Sequence, residues 1–99
     1  MVRRLIVMRH AKSSWKDPNL DDHERPLNKR GRRDAPMVAD AIFERGWIPE
    51  LVLVSSSKRT LQTLEGMSHR MGKTPFEVRS GIYHATVIDL MEELEDMLD

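Results

Sequence analysis

The 99-residue chain contains no cysteine, which excludes disulfide bridges, zinc-cysteine centres and a thiol nucleophile. It also has no surplus of charge, since 16 Lys and Arg balance 16 Asp and Glu. No overall field draws it toward nucleic acid or an anionic membrane, so any anion site has to be local. Long apolar runs are missing too. The run Leu5 to Met8 is far shorter than a signal-peptide core, and no segment approaches the roughly 18 apolar residues of a membrane span. These absences predict a cytoplasmic protein with no membrane or nucleic-acid partner. The basic cluster Lys29, Arg30, Arg32 and Arg33 has no interleaved aromatics and reads as a solvated helix face. His23, His69 and His84 show no metal-ligand spacing, so a metal site is not expected. Repeats, linkers and low-complexity tracts are absent as well, and the length suits one domain over residues 1–99.

Hydrophobic residues make up 39% and charged residues 32% of the chain, as in folded globular proteins. Arg3 to Met8 is a short apolar run that reads as a strand buried on both faces. A polar, turn-rich loop follows through Pro18, Asn19, the paired aspartates and Pro26, and loops of this length are often functional. Asn28 suits the N-cap of a helix carrying Ala35, Val38, Ala39, Ile42 and Phe43, stopped by Gly46, with Pro36 marking its first turns. Leu51 to Val54 reads as a second strand, Lys58 to Met71 as a second helix, and Phe76 to Val78 as a third strand. Thr86 and Asp89 form a capping-box variant ahead of an amphipathic last helix through Val87, Leu90, Met91, Leu94, Met97 and Leu98. Its acidic run at 92–96 reads as a solvated face, and the seven methionines mostly as core packing. Alternating strands and helices predict an α/β fold with a mainly parallel sheet.

Ligands of such sheets bind beyond the carboxyl ends of the strands. The first strand ends in Arg9-His10, and the second in Ser55-Ser56-Ser57 with Arg59 in the next helical turn. Two guanidiniums, hydroxyls and a helix start at one point describe a phosphate site. A neutral imidazole nitrogen of His10 could then attack phosphorus in line while the arginines hold the equatorial oxygens. Duller readings stand beside this one. His10 could be structural, Arg9 and Arg59 could pair with the acidic loop, and Ser13 and Ser14 could cap a turn.

Three motifs, MRHAKSSW at 8–15, ERPLNKRGRRDA at 24–35 and VSSSKRTLQT at 54–63, together resemble the SixA-type phosphohistidine phosphatase branch of the histidine phosphatase superfamily. The resemblance spans roughly residues 3–90. It implies a three-layer α/β/α fold of the phosphoglycerate mutase-like type and a phosphatase working through a phospho-His10 intermediate. It assigns His10 as nucleophile, Arg9 and Arg59 as phosphate ligands, and Ser13 and Ser14 to the loop that closes on the site. Pro26, Leu27, Arg30 and Gly31 match a motif that positions the first helix. No metal or organic cofactor is implied. The implied partner is a phosphorylated substrate, such as a phosphohistidine-bearing signalling protein. The chain departs from the pattern in lacking the Gly-His-Asn motif of the second essential histidine. The context of His84 does not match that motif, and the family's catalytic acid has no obvious counterpart, Asp21, Asp22 and Glu24 on the long loop being candidates. The expectation is therefore an N-terminal portion of the domain, incomplete at its C-terminus. The alternative is a phosphate-binding regulatory or interaction module without turnover, or a remnant with a residual anion site.

Overall fold

The computed structural model describes residues 4–98, and side chains as far as Asp96. Arg3, Met97 and Leu98, which the expected first strand and last helical face include, lie wholly or by their side chains outside that description.

Asn28 opens the first α-helix. Its extended backbone and side-chain oxygen, which accepts the Gly31 N–H at 2.8 Å, cap α1 (Lys29–Glu44). This satisfies one of the donors that every helix start leaves free. Gly46, at φ 74°, takes the left-handed conformation just past the other end. Pro36 lies inside α1 and not in its first turns. The proline forfeits a hydrogen bond to the Arg32 carbonyl, but Arg32 is on the exposed side of the helix, where water can serve that carbonyl.

The chain then forms β1 (Val52–Ser55), α2 (Lys58–Gly66), α3 (Ser68–Met71), β2 (Phe76–Arg79) and α4 (Val87–Leu98). The expected single helix over 58–71 is broken at Met67, whose backbone leaves the helical region (φ −95°, ψ 2°). That break turns Met67 and Met71 inward against Ala35, Ala39 and Ile42 of α1 to make the core, with Phe43, Trp47, Val52 and Leu64 packed around it. Gly66 allows the close approach of the two helices, because a β-carbon there would stand 2.8 Å from that of Ala35. The strands β1 and β2 pair in parallel, in register from Val52 opposite Phe76 to Ser55 opposite Arg79. The α/β fold and parallel sheet expected from the sequence are therefore present.

The capping box ahead of α4 forms reciprocally, the Thr86 N–H donating to Asp89 Oδ2 at 2.9 Å and the Asp89 N–H to Thr86 Oγ1 at 3.2 Å. The Thr86 N–H, and after it the Thr86 side chain, hold the Asp89 carboxyl below the usual carboxylate range.

Two further expectations fail. The segment at 4–8 forms no strand; Leu5 and Val7 are 62% and 70% exposed. An apolar run becomes a buried strand only when neighbouring strands take its backbone bonds, and among the described residues none pairs with it. Nor are the methionines mostly core. Met67 and Met71 are buried, whereas Met8, Met37 and Met91 are exposed. The basic cluster of α1 is exposed, as expected. No described helix is long and apolar enough to cross a membrane.

Candidate functional site

The motif VSSSKRTLQT builds the site because nearly every polar residue in it makes a specific bond. Beyond β1, the Thr60 hydroxyl turns back on the carbonyls of Ser55 and Ser57, 2.8 Å from each. This locks the first turn of α2 and leaves the Arg59 side chain only 7% exposed. Gln62 Oε1 accepts the Leu27 N–H at 2.8 Å, and Thr63 Oγ1 accepts the Ala11 N–H at 3.0 Å while donating to the Arg59 carbonyl at 2.7 Å. One helix thus anchors both ends of the long polar loop. The residue after His10 is bonded to a side chain one helical turn from Arg59.

The loop closes on itself through backbone bonds. Ser13 and Leu27 form an antiparallel bridge, the Ser14 N–H donates to Pro26 O at 2.8 Å, and the Asn28 N–H donates to Lys12 O at 2.9 Å. Gly31 presses against the Lys12 carbonyl so closely that a β-carbon would collide with it. Leu27, 2% exposed, fills the space beneath. Ser13 is buried, and Ser14 Oγ accepts the Lys16 N–H at 3.2 Å, a local turn bond.

His10 Nδ1 lies 2.6 Å from the Ala11 carbonyl. A carbonyl only accepts, so Nδ1 carries the proton, and in the neutral ring the lone pair is left on Nε2. Arg9 is exposed. Among the described residues no hydrogen bond or ion pair joins Arg9 or His10 to Arg59; the link between them runs through Thr63.

Arg59 instead faces the acidic loop, the second of the two readings open from the sequence. Its Nη1 donates to the Asp22 carbonyl at 2.6 Å and its Nη2 to Asp22 Oδ2 at 2.9 Å. Asp22 opens a 3-10 turn (Asp22–Glu24) and is the hub of the region. Its Oδ2 also accepts from the Tyr83 hydroxyl at 2.7 Å and from His84 Nε2 at 2.8 Å, while Oδ1 accepts Arg25 Nε at 3.2 Å. The Tyr83 bond, then Arg59, hold the Asp22 carboxyl far below the usual carboxylate range. The same bond raises the Tyr83 phenol above its ordinary value. Of the three acids considered as proton donors, Asp22 is thus the one whose partners favour its ionised form. Arg25 lies over Trp15, with its guanidinium carbon 3.5 Å from the ring centroid. His23 Nε2 meets Ser56 Oγ at 2.9 Å.

Arg25 and Tyr83 were passed over in the sequence, and His84 was weighed only as a metal ligand and as the second histidine, not as a partner of Asp22. Tyr83 and His84 follow β2 as Arg9 and His10 follow the first apolar run. Applying the strand-end rule to the third strand as well as to the first two would have found them. Among the described residues no group of three or more His, Asp or Glu is placed to hold a metal ion.

Comparison with known proteins agrees with the motifs. The sequence profile of the histidine phosphatase superfamily (branch 1) matches residues 5–87. An uncharacterized chloroplastic protein of Arabidopsis thaliana is 52% identical over 65 residues, covering 66% of this chain and 30% of its own. A crystal structure of a SixA phosphohistidine phosphatase candidate from Agrobacterium tumefaciens superimposes with a TM-score of 0.84 at 26% identity, over 93% of this chain and 60% of that one. The protein histidine phosphatase SixA in complex with tungstate superimposes with a TM-score of 0.77 at 25% identity, over 92% of this chain and 58% of that one. The chain thus spans about three fifths of the SixA structures it matches and less than a third of the plant relative. With the profile match covering most of its length, this chain belongs to the histidine phosphatase superfamily and matches part of the SixA fold.

Proposed function

We propose that residues 1–99 are the nucleophile-bearing portion of a histidine phosphatase domain that hydrolyses phosphohistidine or another phosphorylated substrate without a metal. His10 Nε2 attacks phosphorus, forming an N–P bond as the bond to the leaving group breaks. Water then cleaves the phospho-His10 intermediate, releasing phosphate and restoring the imidazole. Arg9 and Arg59 hold the equatorial oxygens, with the Ser13 and Ser14 hydroxyls on the adjoining loop available as further donors. The observation that carries this reading is the Nδ1 bond of His10 to the Ala11 carbonyl, which leaves the lone pair on Nε2. A SixA structure holding tungstate, a tetrahedral oxyanion, supports the substrate class. A phosphohistidine-bearing signalling protein is the partner this chemistry fits, and the lack of cysteine fits a reducing cytoplasm.

The test is phosphate release from a phosphohistidine peptide and from a generic phosphomonoester in the presence of chelator. Release is expected with the natural sequence and abolished in His10→Ala. Phosphate binding without any release would identify a binding module instead, and release that survives His10→Ala would reject the nucleophile.

A further inference from the structure

The acidic loop occupies Arg59, and the way it does so points to a ligand. Asp22 Oδ2 receives three donors, Arg59 Nη2, Tyr83 OH and His84 Nε2, at 2.9, 2.7 and 2.8 Å. A carboxylate oxygen offers about two lone-pair sites, so three donors oversubscribe it. A phosphoryl group has three oxygens among which they could be shared.

Charge gives a second, independent indication. The Arg25 and Arg59 side chains are 9% and 7% exposed, and both guanidiniums are paired to the one Asp22 carboxylate. Arg25 Nη1 and Arg59 Nε are buried with no hydrogen-bond partner among the described residues. Two buried cations on one anion leave a positive charge uncompensated and donors unpaired, both costly away from water. His84 adds a third indication, since its φ of 53° is the one positive value outside glycine among the described residues. Such backbone conformations persist where the surroundings hold a side chain to a task.

We propose that Arg59, Tyr83 and His84 form an oxyanion-binding triad for the substrate phosphoryl group, with the Asp22 carboxylate as an internal stand-in that the phosphoryl dianion displaces. This deepens the reading of Arg59 as a phosphate ligand and rests on it. Displacement leaves the core intact, because the 3-10 turn that carries Asp22 buries none of its residues. The internal carboxylate lowers the apparent affinity by the fraction of time it holds the triad. Weak anions are thereby excluded and a dianion is selected.

Titration calorimetry of the chain and its variants with inorganic phosphate and with tungstate tests this. Asp22→Asn keeps the shape but removes the competing charge, and it should bind phosphate about tenfold tighter, the effect of freeing a triad held ~90% of the time. Adding Tyr83→Phe to that variant should take back severalfold of the gain, and Arg59→Ala should lose binding. Asp22→Asn binding no tighter than the natural chain, while Arg59→Ala loses binding, overturns the internal stand-in and leaves the phosphate reading standing. Arg59→Ala binding as well as the natural chain overturns that reading itself. A measurement without substitution guards against variants that fail to fold. The side-chain carboxyl carbon resonance of Asp22, followed by NMR in the natural chain, should move and saturate with added phosphate. A resonance that stays fixed while phosphate binds overturns the displacement.

Discussion

The apolar run at 5–8 and the polar loop at 11–28 adjoin in sequence and meet opposite fates. Leu5 and Val7 stand exposed, while Leu27, Ser13 and Arg25 of the turn-rich loop are buried at 2%, 7% and 7% exposure. Hydropathy alone would have assigned them the other way round. The two ends of the loop are drawn in, while residues 15–21 between them stay exposed, because Lys12, Ser13, Ser14, Leu27 and Asn28 each find a backbone or side-chain partner, Leu27 on α2 and the others across the loop or at the start of α1. The apolar run has no such partners among the described residues. Burial follows from satisfied backbone groups, and apolar character adds stability only once those groups are served.

Substitutions that set the two segments against each other sharpen this contrast. The largest effect is expected for Leu27→Ala, about 2–5 kcal/mol of destabilisation by urea unfolding, as for other buried leucines. Val7→Ala should change stability by less than about 0.5 kcal/mol. An equal loss from the two would break the comparison. Gly31→Ala comes next, at about 1–3 kcal/mol, because the new methyl group meets the Lys12 carbonyl and the loop must shift. Phosphate binding should weaken with it, which a calorimetric titration would show. Asn28→Ala removes the cap of α1 and should cost about 1 kcal/mol by the same unfolding measurement.

The smallest effect is a pH dependence. The Asp22 carboxyl is held lower in the folded chain than its ordinary 3.8, so the unfolded chain binds the proton more readily. Its contribution to stability is complete above that ordinary value and is lost as pH falls through the folded value. Asp89, also lowered, acts in the same direction at α4. Acid unfolding of Asp22→Asn should therefore begin from a lower stability near neutral pH and fall less steeply below about 3.8 than that of the natural chain. Parallel curves would show that the Tyr83, Arg59 and His84 bonds to Asp22 do not persist in solution.

Much of the fold was legible where a local rule is strong. The Asn28 cap, the Gly46 stop, the reciprocal Thr86–Asp89 box and the two paired strands appear close to where propensity and pattern put them. Pro36 and Met67 were misread because their effects depend on neighbours. One missing N–H is tolerated where the partner carbonyl faces water. A helix breaks where doing so turns two methionines into the core. Within the candidate site, Arg59 lies in the first turn beyond β1 as the sequence placed it, but its burial was not read from the sequence and its carboxylate partner was one of two open readings. Tyr83 and His84 lie beyond the third strand, where the strand-end rule points, but their bonds to Asp22 join residues more than sixty positions apart, and no local pattern encodes that pairing.

By itself, the sequence determined the family, through three short motifs whose residues can be read in place. It also determined the tautomer-setting neighbourhood of His10 and the sites of the helix caps, because these depend on residues within a few positions of one another. Only the tertiary structure decided that Asp22, from a polar loop, would gather two arginines, a tyrosine and a histidine, and that an apolar run would stand uncovered. Both outcomes depend on which distant groups find a partner for their charge or their hydrogen bonds, and chain pattern does not specify that.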